Sequence, residues 1–309
     1  MGLARNAIFD GPGSLQLGAL KLFAKENIQS TPDLAPWRPN ISTHGQGKPR
    51  RADGKAQTTF TPAGRITADI LTALYPAWCR TVAVNTSVYG ATDTLCKIHG
   101  TDGKWVQFTS SAVIQPPELK LDPRETAFGE VTLGHVIGSG LDRASAASLY
   151  TTGTTAYSEA FADADIISVP YTAVLTDGTT PVTLYTDGAW TITVEPELVE
   201  RYINSIGTTD AKVAGVVWKA KASIANLDYN DILGYMKPSG LALGSQIDGG
   251  TNHTLTITGA TGGIVATLNG VSIVEGPCKW GATELRTGEI GFETTGMGAV
   301  AALAIASAA

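Results

Sequence analysis

Four histidines (His44, His99, His135, His253) and three cysteines (Cys79, Cys96, Cys278) are the side chains with the widest chemical reach in this 309-residue chain. A protein metal site needs such groups, or carboxylates, at short fixed spacings. No histidine has a Cys, His or carboxylate at ligand spacing and no C-x-x-C pair occurs, so no metal or cofactor is expected. The cysteines cannot all pair within one chain and read as buried thiols. Nucleophile elbows, P-loops and dinucleotide fingerprints are missing; Gly11-Pro12-Gly13 carries only a fragment of the last. Asp163 with Asp165, or Glu197 with Glu200, could share acid–base work. Without a cleft signature around them they read as turn and helix-start residues, and the chain is not expected to be an enzyme.

Binding chemistry is concentrated in one place. Trp37, Arg38, His44, Lys48, Arg50, Arg51 and Lys55 lie in or beside a polar stretch, 29–54, that also holds Pro32, Pro36, Pro39 and Pro49. Proline at that density is excluded from helix interiors and central strands, which predicts an extended loop. Loops of this length in compact domains are usually functional. A Trp beside Arg is the composition of an interface anchor, so Trp37, Arg38, His44, Lys48, Arg50 and Arg51 are the candidate subunit-interface residues.

The elements that must position this loop are mostly strands. Only 16% of residues are charged, against about 25% in ordinary soluble domains. The polarity comes instead from Thr and Ser, with 35 Gly; Thr suits a pleated, half-buried surface and Gly suits turns. Ser14–Leu17, Leu20–Phe23, Lys55–Thr61, Ile98–Gly100, Trp105–Phe108, Val113–Ile114 and Phe128–Val136 read as strands. Ile66–Tyr75 reads as a short helix stopped at Pro76. In the second half, Ile166–Leu175, Val182–Thr186 and Trp190–Val194 make a meander, and Pro196 is expected to open a helix to about Ile203. Val213–Ile224, Thr254–Thr258, Ile264–Leu268, Val271–Val274 and Glu289–Glu293 follow as strands, with a helix over Asp231–Met236.

The halves resemble each other. Residues 98–130 overlie 257–289 without a gap, at an offset of 159. The identities are Ile98/Ile257, Gly100/Gly259, Gly103/Gly262, Val106/Val265, Ile114/Ile273, Lys120/Lys279, Glu125/Glu284, Gly129/Gly288 and Glu130/Glu289. Upstream, Asp69-Ile70-Leu71 with Pro76 repeats as Asp231-Ile232-Leu233 with Pro238, at an offset of 162. Two copies of one domain are therefore expected. Their limits are 1–137 and 161–296, with a Gly/Ser/Ala/Thr-rich linker over 138–160 and an Ala-rich tail over 297–309. The expected class is mainly β with short helices, sandwich- or barrel-like.

No segment approaches the roughly 18 apolar residues of a membrane span, and the N-terminus lacks the apolar core of a signal peptide. A net charge of −6 argues against gripping nucleic acid over the whole surface.

The hairpin in GPGSLQLGALKLF, the long loop after it, TTFTPAGRITADILTALYP, and the late strands FGEVTL and TGEIGF together resemble the major tail (tail tube) proteins of long-tailed bacteriophages. The resemblance implies rings of six domains stacked into a hollow tube, through which phage DNA passes without specific binding. The long loop would bridge neighbouring subunits and rings. It also implies a virion protein assembled in the bacterial cytoplasm, whose partners are copies of itself, a tape measure protein, a tail terminator and distal tail or baseplate proteins. A duplicated domain departs from the family's usual chain, and predicts three chains per ring. The alternative is a β-sandwich decoration protein that binds a host surface or carbohydrate; such proteins also carry tandem Thr/Gly-rich strands.

Overall fold

A computed structural model describes residues 14–25, 28–32, 36–37, 40–41, 45–46, 50–51, 55–63, 67–81, 84–89, 94–100, 103–136, 150–154, 168–176, 181–203, 207–225, 253–275, 278–279, 287–294 and 303–307. The first half opens with the hairpin β1 (Ser14–Leu17) and β2 (Leu20–Ala24). Six strands follow: β3 (Gln29–Pro32), β4 (Pro36–Trp37), β5 (Asn40–Ile41), β6 (Gly45–Gln46), β7 (Arg50–Arg51) and β8 (Lys55–Phe60). After β9 (Pro62–Ala63) come helices α1 (Ala68–Leu74) and α2 (Ala77–Arg80). Then come β10 (Thr94–His99), β11 (Lys104–Gln115), β12 (Leu119–Leu121), β13 (Ala127–Phe128), β14 (Val131–Val136) and β15 (Tyr150–Thr154). The second half has β16 (Tyr171–Thr176), β17 (Pro181–Leu184), β18 (Trp190–Ile203), β19 (Gly207–Ile224) and β20 (His253–Gly259). It closes with β21 (Ile264–Glu275), β22 (Cys278–Lys279), β23 (Thr287–Thr294) and β24 (Leu303–Ser307). The fold is mainly β with few short helices.

Period-two patterning makes these strands. In β20 (HTLTITG) His253, Leu255 and Ile257 are buried while the threonines between them stay partly exposed; β16 (YTAVLT) buries Tyr171, Ala173 and Leu175 in the same way.

The strands form two large antiparallel sheets. Within the first the order β3-β8-β14-β11-β10-β1-β2 occurs; within the second it is β18-β19-β23-β21-β20-β16-β17. These are one order written twice. Details repeat as well: β11 and β21 each slip register against their partner, at Val113/Gln115 and at Ile273/Glu275. Gly103 and Gly262 both take positive φ, 79° and 83°, in the equivalent turn. β15 lies on β11 as β24 lies on β21, so the expected linker and the expected tail each contain a strand.

The pairing corrects the sequence overlay. Val113 faces Leu133 across the ladder where Ile273 faces Phe292, so Val113, not Ile114, is the counterpart of Ile273. The turn from β20 to β21 is one residue longer than that from β10 to β11, as the pairs Thr258↔Val265 and His99↔Trp105 fix. A one-residue slip exchanges the faces of a strand, so the identities Val106/Val265 and Ile114/Ile273 are not structurally equivalent.

Other expectations also change. β11 and β21 are each one long strand where two short ones were expected; in β21 the break is absorbed by Gly270, at φ 65°. The helix expected from Pro196 is instead strand β18. Val194, Pro196 and Leu198 turn inward by twos while Glu195, Glu197 and Val199 are exposed. Proline is tolerated there because β12 flanks β18 only at Trp190–Ile192, leaving Pro196 on a stretch of edge. The expected Asp231–Met236 helix lies outside the described residues.

α1 starts at Thr67, whose hydroxyl accepts the Ile70 amide at 3.3 Å, and Asp69 sits in its first turn. Pro76 separates it from α2. These helices join the halves: Trp218 of β19 donates Nε1–H to the Cys79 carbonyl at 2.9 Å, and its ring lies 5.8 Å from that of Tyr75. Tyr75, Cys79 and Trp218 belong to one continuous core with Leu119, Leu121, Trp190 and Ile192, all fully buried. Burial pushes the Cys79 thiol up to about 12, making it an inert packing group.

His135 is buried in the first sheet, stacked on Phe108 at 3.9 Å. Its Nε2 bonds Thr58 Oγ1 at 2.8 Å and its Nδ1 bonds Ser111 Oγ at 2.7 Å. Burial pushes the imidazole down from 6.5 to about 3. The unfolded chain therefore takes up a proton below pH 6.5 that the folded chain refuses until about pH 3. The stability contribution is whole above 6.5 and is lost as pH falls through that window, by about 1.4 kcal/mol per pH unit at most. Urea midpoints at pH 7, 5.5 and 4 should fall less steeply in H135Q than in the parent; equal slopes would contradict this account.

Candidate subunit interface

The described pieces of the stretch expected to be an open loop are paired strands: β3 edges the first sheet, and β4–β7 and β5–β6 are two-stranded. Gln29–Pro32 pairs with 56–59, Pro36–Trp37 with Arg50–Arg51, and Asn40–Ile41 with Gly45–Gln46, in one nested series. In a two-stranded ribbon each strand has a free edge, so prolines cost no ladder bond when their missing N–H falls on the outer side. Trp37 stands directly opposite Arg50, and Arg51 opposite Pro36. Arg38, His44 and Lys48 lie outside the described residues.

The counterpart of this ribbon in the second half is the β18–β19 hairpin. Phe60 faces Val131 as Ala222 faces Ile290, which fixes the correspondence between β8 and β19. Moving outward, the ribbon slips register once between Pro32 and Pro36 and again between Trp37 and Asn40. The hairpin slips at Glu197/Leu198 and again at Arg201/Tyr202. The pair Trp37↔Arg50 therefore corresponds to Val199↔Lys212, and Pro36↔Arg51 to Leu198↔Val213.

These counterparts form an interface inside the chain. The outer part of β18–β19 extends beyond β23 and seats on the first half. The Asn85 amide donates to the Val213 carbonyl at 2.8 Å, the Val213 amide to the Thr86 carbonyl at 3.1 Å, and the Val88 amide to the Ala211 carbonyl at 2.9 Å. Residues 85–88 thus meet the arm through a single antiparallel bridge, Ser87 opposite Lys212. Lys212 donates to the Ser87 hydroxyl and lies 3.5 Å from the carboxylate of Asp210, which is only 6% exposed. Lys55 donates to both oxygens of Glu200 at 2.9 Å, and Gln115 Nε2 to the Val194 carbonyl at 2.8 Å. Tyr89, its hydroxyl pushed up by burial, lines the seam with Ile114, Pro196 and Leu198. Val199 remains 56% exposed, an apolar residue left for a further contact.

Among the described residues, the candidate acid–base pair Glu197 and Glu200 is not gathered into a site. Glu200 is held by Lys55, Glu197 is exposed on β18, and Asp163 and Asp165 lie outside the described residues. Among the described residues no group of three His, Cys, Asp or Glu side chains could hold a metal, and no helix is long and apolar enough to cross a membrane. Residues 85–88 and β12, which form much of the seam, carry no chemical signature. Only the alternation Leu119-Lys120-Leu121 hints at a strand there. A scan against protein-family models and a search of curated proteins found no match to this chain.

Proposed function

We propose that this chain is a structural protein that assembles with copies of itself, head to tail, into rings that stack as a hollow tube of the phage tail type. The observation that carries this reading is the seat of the β18–β19 arm on the other half, while the equivalent β4–β7 pair of the first half joins no further strand among the described residues. A repeated unit whose arm grips the unit before it is a heterologous contact, and such contacts close into rings when the rotation allows. Closure also removes the exposed strand edges that both sheets present.

On this reading the tandem units span 1–137 and 161–296, each followed by a strand-bearing extension. A net charge of −6 suits a lumen along which DNA slides without sticking. The tape measure, terminator and distal tail proteins are the partners such a tube meets, and the tail of a virion assembled in a bacterial cytoplasm is its location. Negative-stain microscopy of the purified, concentrated protein should show rings or tubes of uniform width. A protein that stays monomeric at high concentration, as a decoration or carbohydrate-binding module would, overturns the proposal.

A further inference from the structure

In the second half the edge strand β18 is not free. The β12–β13 hairpin leaves the first half and adds to it, pairing Leu119 with Ile192, Lys120 with Thr191 and Leu121 with Trp190. This contact buries Leu119, Leu121, Trp190 and Ile192 completely. In the first half the counterpart of β18 is β3, and β3 ends the described sheet. Gln29 and Ser30 pair with Thr59 and Thr58 where Thr191 and Ile192 pair with Lys221 and Ala220, so Gln29 corresponds to Thr191 and Ser30 to Ile192. Gln29, Ser30 and Thr31 are exposed. The counterpart of the β12–β13 hairpin is β22 with the start of β23. Lys279 pairs with Thr287 as Leu119 pairs with Phe128, and Cys278 pairs with Gly288 where the Glu118 carbonyl accepts the Gly129 amide, so Lys279 corresponds to Leu119 and Cys278 to Glu118. Among the described residues β22 is paired on one side only.

We infer that β22 of one chain adds to β3 of the next, antiparallel, with Lys279 opposite Ser30 and Cys278 opposite Thr31. The register is the one the chain already uses between its own halves, transferred residue by residue. The partner is a second copy of this protein, and the bond is main-chain strand addition across an otherwise open edge. It rests on the ring reading only for closure of the series; the pairing itself needs only two chains.

Directly opposite residues of antiparallel strands have Cα atoms about 4.5–5.5 Å apart, within the range a disulfide spans. Thr31→Cys in the full chain, oxidised mildly with the native Cys278, should therefore yield disulfide-linked chains on a non-reducing gel. Cys79 and Cys96 are buried and free, which keeps them out of the reaction. Linkage should disappear in T31C/C278S and drop at least tenfold in S30C, whose side chain leaves the opposite face. Ser30→Cys with Lys279→Cys in a C278S background is the second pair, in case the T31C substitution disturbs the edge strand. Linked ladders that stop at three chains support both the pairing and the closed ring. Ladders that run on support the pairing and reject three-chain closure. A disulfide confined within one chain, or rings visible in the microscope with no linkage from either pair, overturns the pairing and leaves the tube reading standing.

Discussion

Replacing Trp37, Arg50 and Arg51 together by Ala is expected to abolish ring and tube formation while leaving a folded monomer. The counterparts of these positions in the second half are Val199, Lys212 and Val213. There Val213 exchanges two backbone hydrogen bonds with 85–86, and Lys212 bridges Ser87 and the buried Asp210. In the first half the same arm positions carry a Trp and two Arg, the residue types that dominate interface energetics. Each such anchor typically contributes about 2 kcal/mol or more, so three together reach roughly 5 kcal/mol after allowing for non-additivity. That is on the order of a thousandfold or more in the association constant at each contact. The core of described side chains, Tyr75, Trp190 and Trp218 among them, is left in place. Sedimentation velocity should show a single species of one chain with unchanged far-ultraviolet circular dichroism, and normal tubes from the triple variant would reject the role. Substituting Lys212 and Val213 by Ala is a useful contrast. It loosens an arm that seats within the chain, so it should lower the melting temperature first and assembly only as a consequence.

What the sequence discloses follows what local chemistry can specify. Alternation of Thr with Leu and Ile marks β20, and the Pro76 stop marks the end of α1. The proline-rich segment misleads as to form. Proline forbids central strands, but a ribbon with two open edges escapes that rule, and only the partner strand reveals the pairing of Trp37 with Arg50. Pro196 misleads for the same reason: followed by Glu197 and Glu200 it reads as a helix start, while the period-two burial of Val194, Pro196 and Leu198 is set by β19 alongside. The departure of β12 into the other sheet was not legible at all. Three residues are too few to carry a period, and their destination, Trp190–Ile192, lies some seventy residues away.

Joining the repeated sheet order to the seated arm gives a definite stoichiometry: a ring of this protein should contain three chains. If six similar units close a ring, each unit turns the next by about one sixth of a circle, and the contact between the halves of one chain is already one such step. That contact has two parts, the arm of one unit on the other and the hairpin of the other on its edge strand. Between chains the same two parts are available, the ribbon 29–59 and the β22 strand, so the between-chain step can repeat the within-chain step. The repeat is imperfect: Trp37 and Arg50 stand where the within-chain arm has Val199 and Lys212. On the ring reading alternate steps would therefore differ, and the ring should have true three-fold symmetry that imitates six-fold at low resolution. Six chains per ring would instead require one half to line the tube and the other to hang outside it. The edge of β18 would then be closed by β12 with no reason for β3 and β22 to match it. Mass per length measured by scanning transmission microscopy, or a reconstruction without imposed symmetry, decides the matter. Three chains per ring give about 96 kDa from the 32.1 kDa chain, and a ring of twice that mass rejects the equivalence of the two halves.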